Sequence, residues 1–182
     1  MSLTHAILGL LTLAPMTGYD LKNRSFDTSI AHFWPADQAQ IYRTLDKMAE
    51  QGWIESHVEF QEDRPNRKVY SITWDGRVEL HRWLLLPQPL PPYREPFLIQ
   101  LFFAEDLSND EIIALLEAQR DEHRERLKDY LAIPLPTLDH LAQDRQTSLQ
   151  RLTLEMGLQI EQAYLDWFEL AINVVRNLPE KS

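Results

Sequence analysis

Between Asp37 and Thr73 the hydrophobic period changes once, from that of a helix to that of a strand, and this switch restricts the chain more than any other feature. Asp37 followed by Gln40 has the capping-box spacing, in which each side chain satisfies an orphan backbone donor at a helix start. Ile41, Leu45 and Met48 then fall on one stripe at steps of four and three. Gly52 stands just past the end, where a left-handed cap is cheap only for glycine. From Trp53 the period is two. Ile54, Ser56, Val58 and Phe60 alternate with Glu55, His57 and Glu59, which predicts a strand with one face buried. Pro65 and Asn66 supply a turn, and Lys68 to Thr73 returns as a second strand with Tyr70 and Ile72 on one face.

A helix feeding directly into a hairpin is the second half of a winged helix-turn-helix. Its outward side carries Gln40, Arg43 and Lys47 with Tyr42 at the flank, while Arg64, Arg67 and Lys68 crowd the hairpin tip. Amides and guanidinium groups read base edges in the major groove, and a basic tip meets phosphates. The competing reading of any one of these residues is a solvated helix face or an ordinary charged hairpin. Two such features in register point to DNA.

The preceding segments fit the same plan. Leu3, Ile7, Leu8 and Leu11 form the inner stripe of a first helix, which Pro15 closes. Thr17 caps a second helix, GYDLKNRSF, whose Tyr19 and Lys22 are placed to cross the phosphates ahead of the recognition helix. Phe33 and Trp34, before Pro35, are expected to anchor the lead-in to that helix as core. After the hairpin, Thr73 caps a fourth helix with Val78, Leu80, Trp83 and Leu84 as apolar contacts.

A formal charge of −10 speaks against nucleic acid only if taken whole. Residues 1–86 hold nine Lys+Arg against eleven Asp+Glu, a net of −2, and residues 87–182 hold nine against seventeen, a net of −8. Binding needs a local basic footprint, because salt screens exposed charges beyond about 8 Å. The balance predicts modest nonspecific affinity, with specificity supplied by geometry and dimerisation. The chain has no cysteine, which excludes a disulfide framework, a thiolate metal site and a cysteine nucleophile, and suits the cytoplasm. The apolar run from Ala6 to Ala14 has no Lys or Arg before it and is broken by Thr12, so a buried helix is expected there rather than a signal peptide. Nothing approaches the roughly 18 continuous apolar residues of a membrane span.

The stretch LLPQPLPPYREP lacks backbone donors at its prolines and favours an extended spacer. It divides the chain into a winged domain at 1–86, a linker at 87–94 and a helical domain at 95–182. In the last, Glu95 to Ala104 is a short apolar helix, and Ser108 with Glu111 opens a helix that runs to about Leu131 before Pro134 and Pro136. Its run DEHRERLKD mixes signs at helical spacing and is expected to be solvated. From about Leu138 to Leu178 there is no internal proline, and Leu149, Leu152, Met156, Ile160, Ala163, Trp167, Leu170 and Val174 recur at steps of three and four. Roughly 40 residues make a helix of about 60 Å, too long to cover its own stripe, and a second copy of the chain is the simplest partner. The five glycines are too dispersed to cradle a phosphate, the six histidines show no ligand spacing, and the carboxylates form no distinguishable acid/base pair. No catalysis, metal or cofactor is expected.

ILGLL, APMTGYDL, FW followed by QIYRTLDKMAEQGWIE, and RKVYSITWDGR resemble, in order and spacing, the PadR family of bacterial transcriptional regulators over nearly all of residues 5–84. REPFLIQLFFAED and the long helix are similar to the family's virulence-activator-type C-terminal domain. The resemblance implies a dimer that binds an inverted repeat of double-stranded DNA and is released by an effector, in some members a phenolic acid. Carried onto this chain, the DNA contacts fall on Tyr19, Lys22, Gln38, Gln40, Tyr42, Arg43, Arg64 and Arg67. Effector binding is expected near the junction of the two domains. Trp83, Tyr93, Phe97, Phe102, Phe103, Tyr164, Trp167 and Phe168 offer flat walls there, with Arg94 to pair a carboxylate. The competing reading makes these rings plain core. The expected architecture is mainly α with a small hairpin, and the expected function is a ligand-released dimeric repressor. The alternative is a helical adaptor using its winged helix for protein contacts, which an acidic recognition face would favour.

Overall fold

Thr17, Asp37, Thr73, Glu95, Ser108 and Asp144 each accept a backbone N–H at the start of a helix, and these caps set the boundaries of the elements. The computed structural model describes residues 2–26, 30, 32–60, 66–140 and 144–179. The chain forms two units, Met1–Pro91 and Pro92–Ser182.

In the first unit, α1 (Ser2–Leu13) leads to a two-residue strand β1 (Met16–Thr17), then α2 (Gly18–Leu21), which continues as a π-helical turn over Lys22–Phe26. The recognition helix α3 (Gln38–Glu50) is followed by β2 (Ile54–Glu59), β3 (Arg67–Ile72) and α4 (Trp74–Leu84). Both halves of the Asp37–Gln40 capping box are formed, and Gly52 takes φ 71°. Ile7, Leu8, Leu21, Ile41, Leu45 and Met48 are fully buried, so α1, α2 and α3 close on one apolar centre. The strands form an antiparallel sheet of order β1-β3-β2, with Met16 opposite Tyr70 and Ile54 opposite Ile72.

Several expectations are corrected here. A strand at Met16–Thr17 was not foreseen, because two residues carry no period. β2 buries only Ile54; Val58 and Phe60 are exposed, the latter at 84%, because the apolar centre ends at Ile54 and Tyr70 and the hairpin runs on past it. Phe33 and Trp34 are exposed rather than core. Val78 and Leu84 are exposed as well, since α4 meets the centre along one edge only, through Leu80. The expected turn at Pro65 lies outside the described residues.

The second unit is helical: α5 (Pro96–Phe102), α6 (Asn109–Leu131) and α7 (Arg145–Arg176), with 3-10 turns at Ala104–Asp106 and Leu138–His140. Pairs such as Asn109 with Leu178 and His123 with Glu161 make α6 and α7 antiparallel. On α6 the buried positions Leu116, His123 and Tyr130 recur every seven residues, and on α7 so do Leu154, Glu161, Phe168 and Val175. Phe97, Ile112 and Ile172 complete the apolar centre. The helix α7 starts at Arg145, not near Leu138, because Asp144 caps it after the 3-10 turn. Its 32 residues span about 48 Å rather than 60 Å. The run DEHRERLKD is not wholly solvated: His123 is buried, drawn in by Glu161 of α7. Among the described residues no helix is long and apolar enough to cross a membrane.

Candidate functional site

With Ile41, Leu45 and Met48 locked into the centre, the opposite side of α3 is fixed outward, and Gln38, Arg43 and Lys47 are exposed on it. Trp34 and Pro35 border a shallow hollow that also contains Gln40, Arg43, Thr44 and Lys47. The place of Trp34 beside two cations was missed from sequence, although an aromatic just ahead of a basic helix was a usable signal. Gln40 has a structural job: its Oε1 accepts the Asp37 N–H at 3.3 Å, and its own N–H donates to Asp37 Oδ1 at 2.7 Å. Tyr42 lies against Gly18, where an added Cβ would sit 2.6 Å from the ring, so glycine is what lets α2 approach α3 this closely. Tyr19 of α2 is 65% exposed, and Lys22 of the π-helical turn is half-buried.

The wing is tied to α2. A guanidinium N–H of Arg67 donates to Asp20 Oδ2 at 2.8 Å, and Thr17 Oγ1 donates to the same oxygen at 2.8 Å. Burial pushes the Asp20 carboxyl up, but the Thr17 hydroxyl and backbone N–H and then Arg24 and Arg67 outweigh it, leaving the group below the usual carboxylate range. Arg67, opposite Glu59 at the tip end of the hairpin, is therefore tied to α2 rather than free. Lys68 is exposed, with its Nζ 5.1 Å from the centre of the Tyr70 ring. Arg64 lies outside the described residues.

The second unit holds a pocket of about 350 Å³. Phe97, Leu98, Ile160, Ala163, Tyr164, Trp167 and Phe168 make its apolar walls, and Tyr93, Glu95, Gln119 and His123 its polar edge. The Tyr93 and Tyr164 hydroxyls share a hydrogen bond at 2.6 Å, and His123 stacks on Tyr164 with centroids 4.1 Å apart. His123 Nδ1 is 2.5 Å from Oε2 of Glu161, which is 4% exposed and also accepts from Arg126 at 3.5 Å. Burial, then the hydrogen bond and charge of Tyr93, then the nearby Glu95 and Glu161 carboxylates hold the Tyr164 hydroxyl well above the ordinary tyrosine range.

Of the residues expected at an effector site, Tyr93, Phe97, Tyr164 and Trp167 line this pocket, and Phe168 joins them. Trp83 does not: it stacks on His5 in the first unit at 4.5 Å. Arg94 is exposed and outside the lining. Tyr93 and Glu95 are on the lining, and Arg94 between them is not. Phe102 and Phe103 are exposed and pack on each other. Glu95, Gln119 and His123 were missed. His123 was findable, because it keeps the seven-residue step between Leu116 and Tyr130. Ile160 and Ala163, expected on a dimer stripe, border the pocket as well, and Leu149, Leu152, Met156, Leu170 and Val174 of that stripe are exposed.

Residues 7–82 match the family model described as the transcriptional regulator PadR-like family, and residues 93–176 match that described as virulence activator alpha C-term. The chain is 35% identical to the probable transcriptional regulator Rv1176c of Mycobacterium tuberculosis, over 100% of both. The structure of Bacillus subtilis PadR in complex with operator DNA superposes with a TM-score of 0.85 at 28% identity, covering 96% of this chain and 99% of that one. The same protein in complex with p-coumaric acid gives 0.76 at 28% identity, covering 97% and 100%.

Proposed function

Because the chain belongs to the PadR-like family of transcriptional regulators, a family of regulators rather than enzymes, we propose that it is a cytoplasmic repressor that binds an inverted-repeat operator as a homodimer and leaves it when a small aromatic ligand enters the pocket of the second unit. One observation carries the DNA part. The recognition helix is clamped by three fully buried residues, and the side it cannot turn away presents Gln38, Arg43 and Lys47. A rigid helix with an amide and two cations outward is suited to a major groove, where guanidinium groups read guanine edges and ammonium groups meet phosphate. Tyr19 of α2 and Lys22 of the turn that continues it suit the flanking backbone. The operator complex of a protein 28% identical over nearly the whole chain supports this reading.

Two half-sites on one face of DNA lie about 34–36 Å apart, so the two recognition helices of a dimer must hold that spacing. The exposed stripe of α7 is the surface we assign to the second copy. A ligand displaces such a protein only by binding its DNA-competent and DNA-incompetent states unequally. The aromatic pocket is the site we assign to it, and the complex of the same relative with p-coumaric acid supports an aromatic ring as what the ligand carries. Selecting bound sequences from random DNA tests the proposal: an enriched palindrome is expected, and no enrichment overturns it in favour of an adaptor.

A further inference from the structure

We infer that the pocket of the second unit is built for a flat aromatic ligand carrying no negative charge, and that it discriminates against aromatic carboxylates. This rests on the reading of the pocket as the effector site. No lysine or arginine is among the described residues that line it, and its one acidic member is Glu95. An anion entering the pocket meets that carboxylate and no cation. Of the basic side chains next in sequence to lining residues, Arg120 pairs with Asp121 and Glu169, and Arg124 pairs with Asp121. His123 is on the lining, but its Nδ1 is bonded to the buried Glu161, so any positive charge on the ring is matched by that carboxylate. Arg126 bonds to the same Glu161, and Arg94 is exposed outside the lining.

The start of α5 gives no anion site either. The Phe97 N–H that faces outward from its first turn is accepted by Glu95 Oε1 at 3.3 Å. What remains for a ligand is neutral: the paired Tyr93 and Tyr164 hydroxyls and the Gln119 amide, set against the Phe97, Tyr164, Trp167 and Phe168 rings. Burial among these rings and the carboxylate of Glu95 on the lining both disfavour a ligand carboxylate. A phenol, alcohol, ester or amide group escapes that penalty, and an ammonium group gains from it.

The test uses the full chain at neutral pH and a series sharing one ring: 4-hydroxycinnamate, its methyl ester, 4-hydroxycinnamyl alcohol and tyramine. Binding is followed by calorimetry and by quenching of tryptophan fluorescence. The ester and alcohol are expected to bind about tenfold or more tighter than the acid, and Glu95→Gln, which keeps the oxygen that caps α5, is expected to narrow the gap by strengthening the acid. An acid that binds as tightly as the alcohol overturns this inference while leaving the pocket as the effector site. Failure of the whole series to bind overturns both.

Discussion

Arg67 of the wing and Asp20 of α2 are joined by an N–H to carboxylate bond of 2.8 Å across 47 positions of sequence. Asp20 is nearly buried and Arg67 is 43% exposed at its side chain, so the pair is neither a free surface bridge nor a sealed one. Arg24, at 3.4 Å, keeps part of the charge balanced if Arg67 is lost. Arg67→Ala is therefore expected to destabilise the first unit by about 1–2 kcal/mol, between the cost of a surface pair and that of a broken buried one. Combined with Asp20→Asn in a double-mutant cycle by urea unfolding, the two losses should be less than additive. Strict additivity would show that the bond contributes nothing.

The same pair marks how far the sequence could be followed. Helix starts were legible at Thr17, Asp37, Thr73 and Ser108, because a cap is a local contract between residues three apart. The end of α3 was legible at Gly52 for the same reason. Long-range ties carry no such mark, and Arg67 was read as one more cation of the tip. In the second unit the obstacle was polarity. The face of α7 that packs on α6 includes Glu161 and the matching face of α6 includes His123, so a search for apolar steps passed over it and found the exposed stripe instead. Two opposite polar groups that satisfy each other can be core, but only the fold shows that they meet.

Glu79 links α4 to α1 and provides a pH prediction. Two N–H groups of Arg82 donate to it at 2.8 and 2.7 Å and, against burial, bring its carboxyl from 4.5 to about 2, with His5 at 3.0 Å adding to the effect. A folded value below the unfolded one means that its contribution is full above about 4.5 and is lost as pH falls toward 2. Glu79→Gln should lower the urea midpoint at pH 7 and flatten its decline between pH 4.5 and 2. An unchanged slope in that window would assign the acid sensitivity to other carboxylates.

Gln40 and Arg43 stand on the same helix and are expected to fail differently. Arg43→Ala should relax operator preference and cost about 1–3 kcal/mol of specific binding, with no loss of stability, since Arg43 is exposed. Gln40→Ala removes the acceptor of the Asp37 N–H and should cost up to about 1 kcal/mol of stability while leaving base preference in place. Competition binding on a panel of operator variants, beside thermal unfolding, separates the two. A specificity change in Gln40→Ala would give that amide a place at the DNA as well.

The dimer prediction rests on the two faces of α7. Leu154, Phe168, Ile172 and Val175 are buried within the chain itself, whereas Leu152 and Met156 are exposed at 54% and 64%. Leu152→Glu with Met156→Glu therefore leaves the contacts of α7 with α6 intact and places two charges where a second copy is proposed to lie. Sedimentation should show a folded monomer, with helical content unchanged by circular dichroism. Operator affinity should fall by about 10²–10⁴, because the second half-site is no longer held at high effective concentration. Affinity for an isolated half-site should stay as it was, since α3 is untouched. If the doubly charged protein sediments as a tight dimer, the copies meet elsewhere, and the stripe of α7 is not what sets the distance between recognition helices.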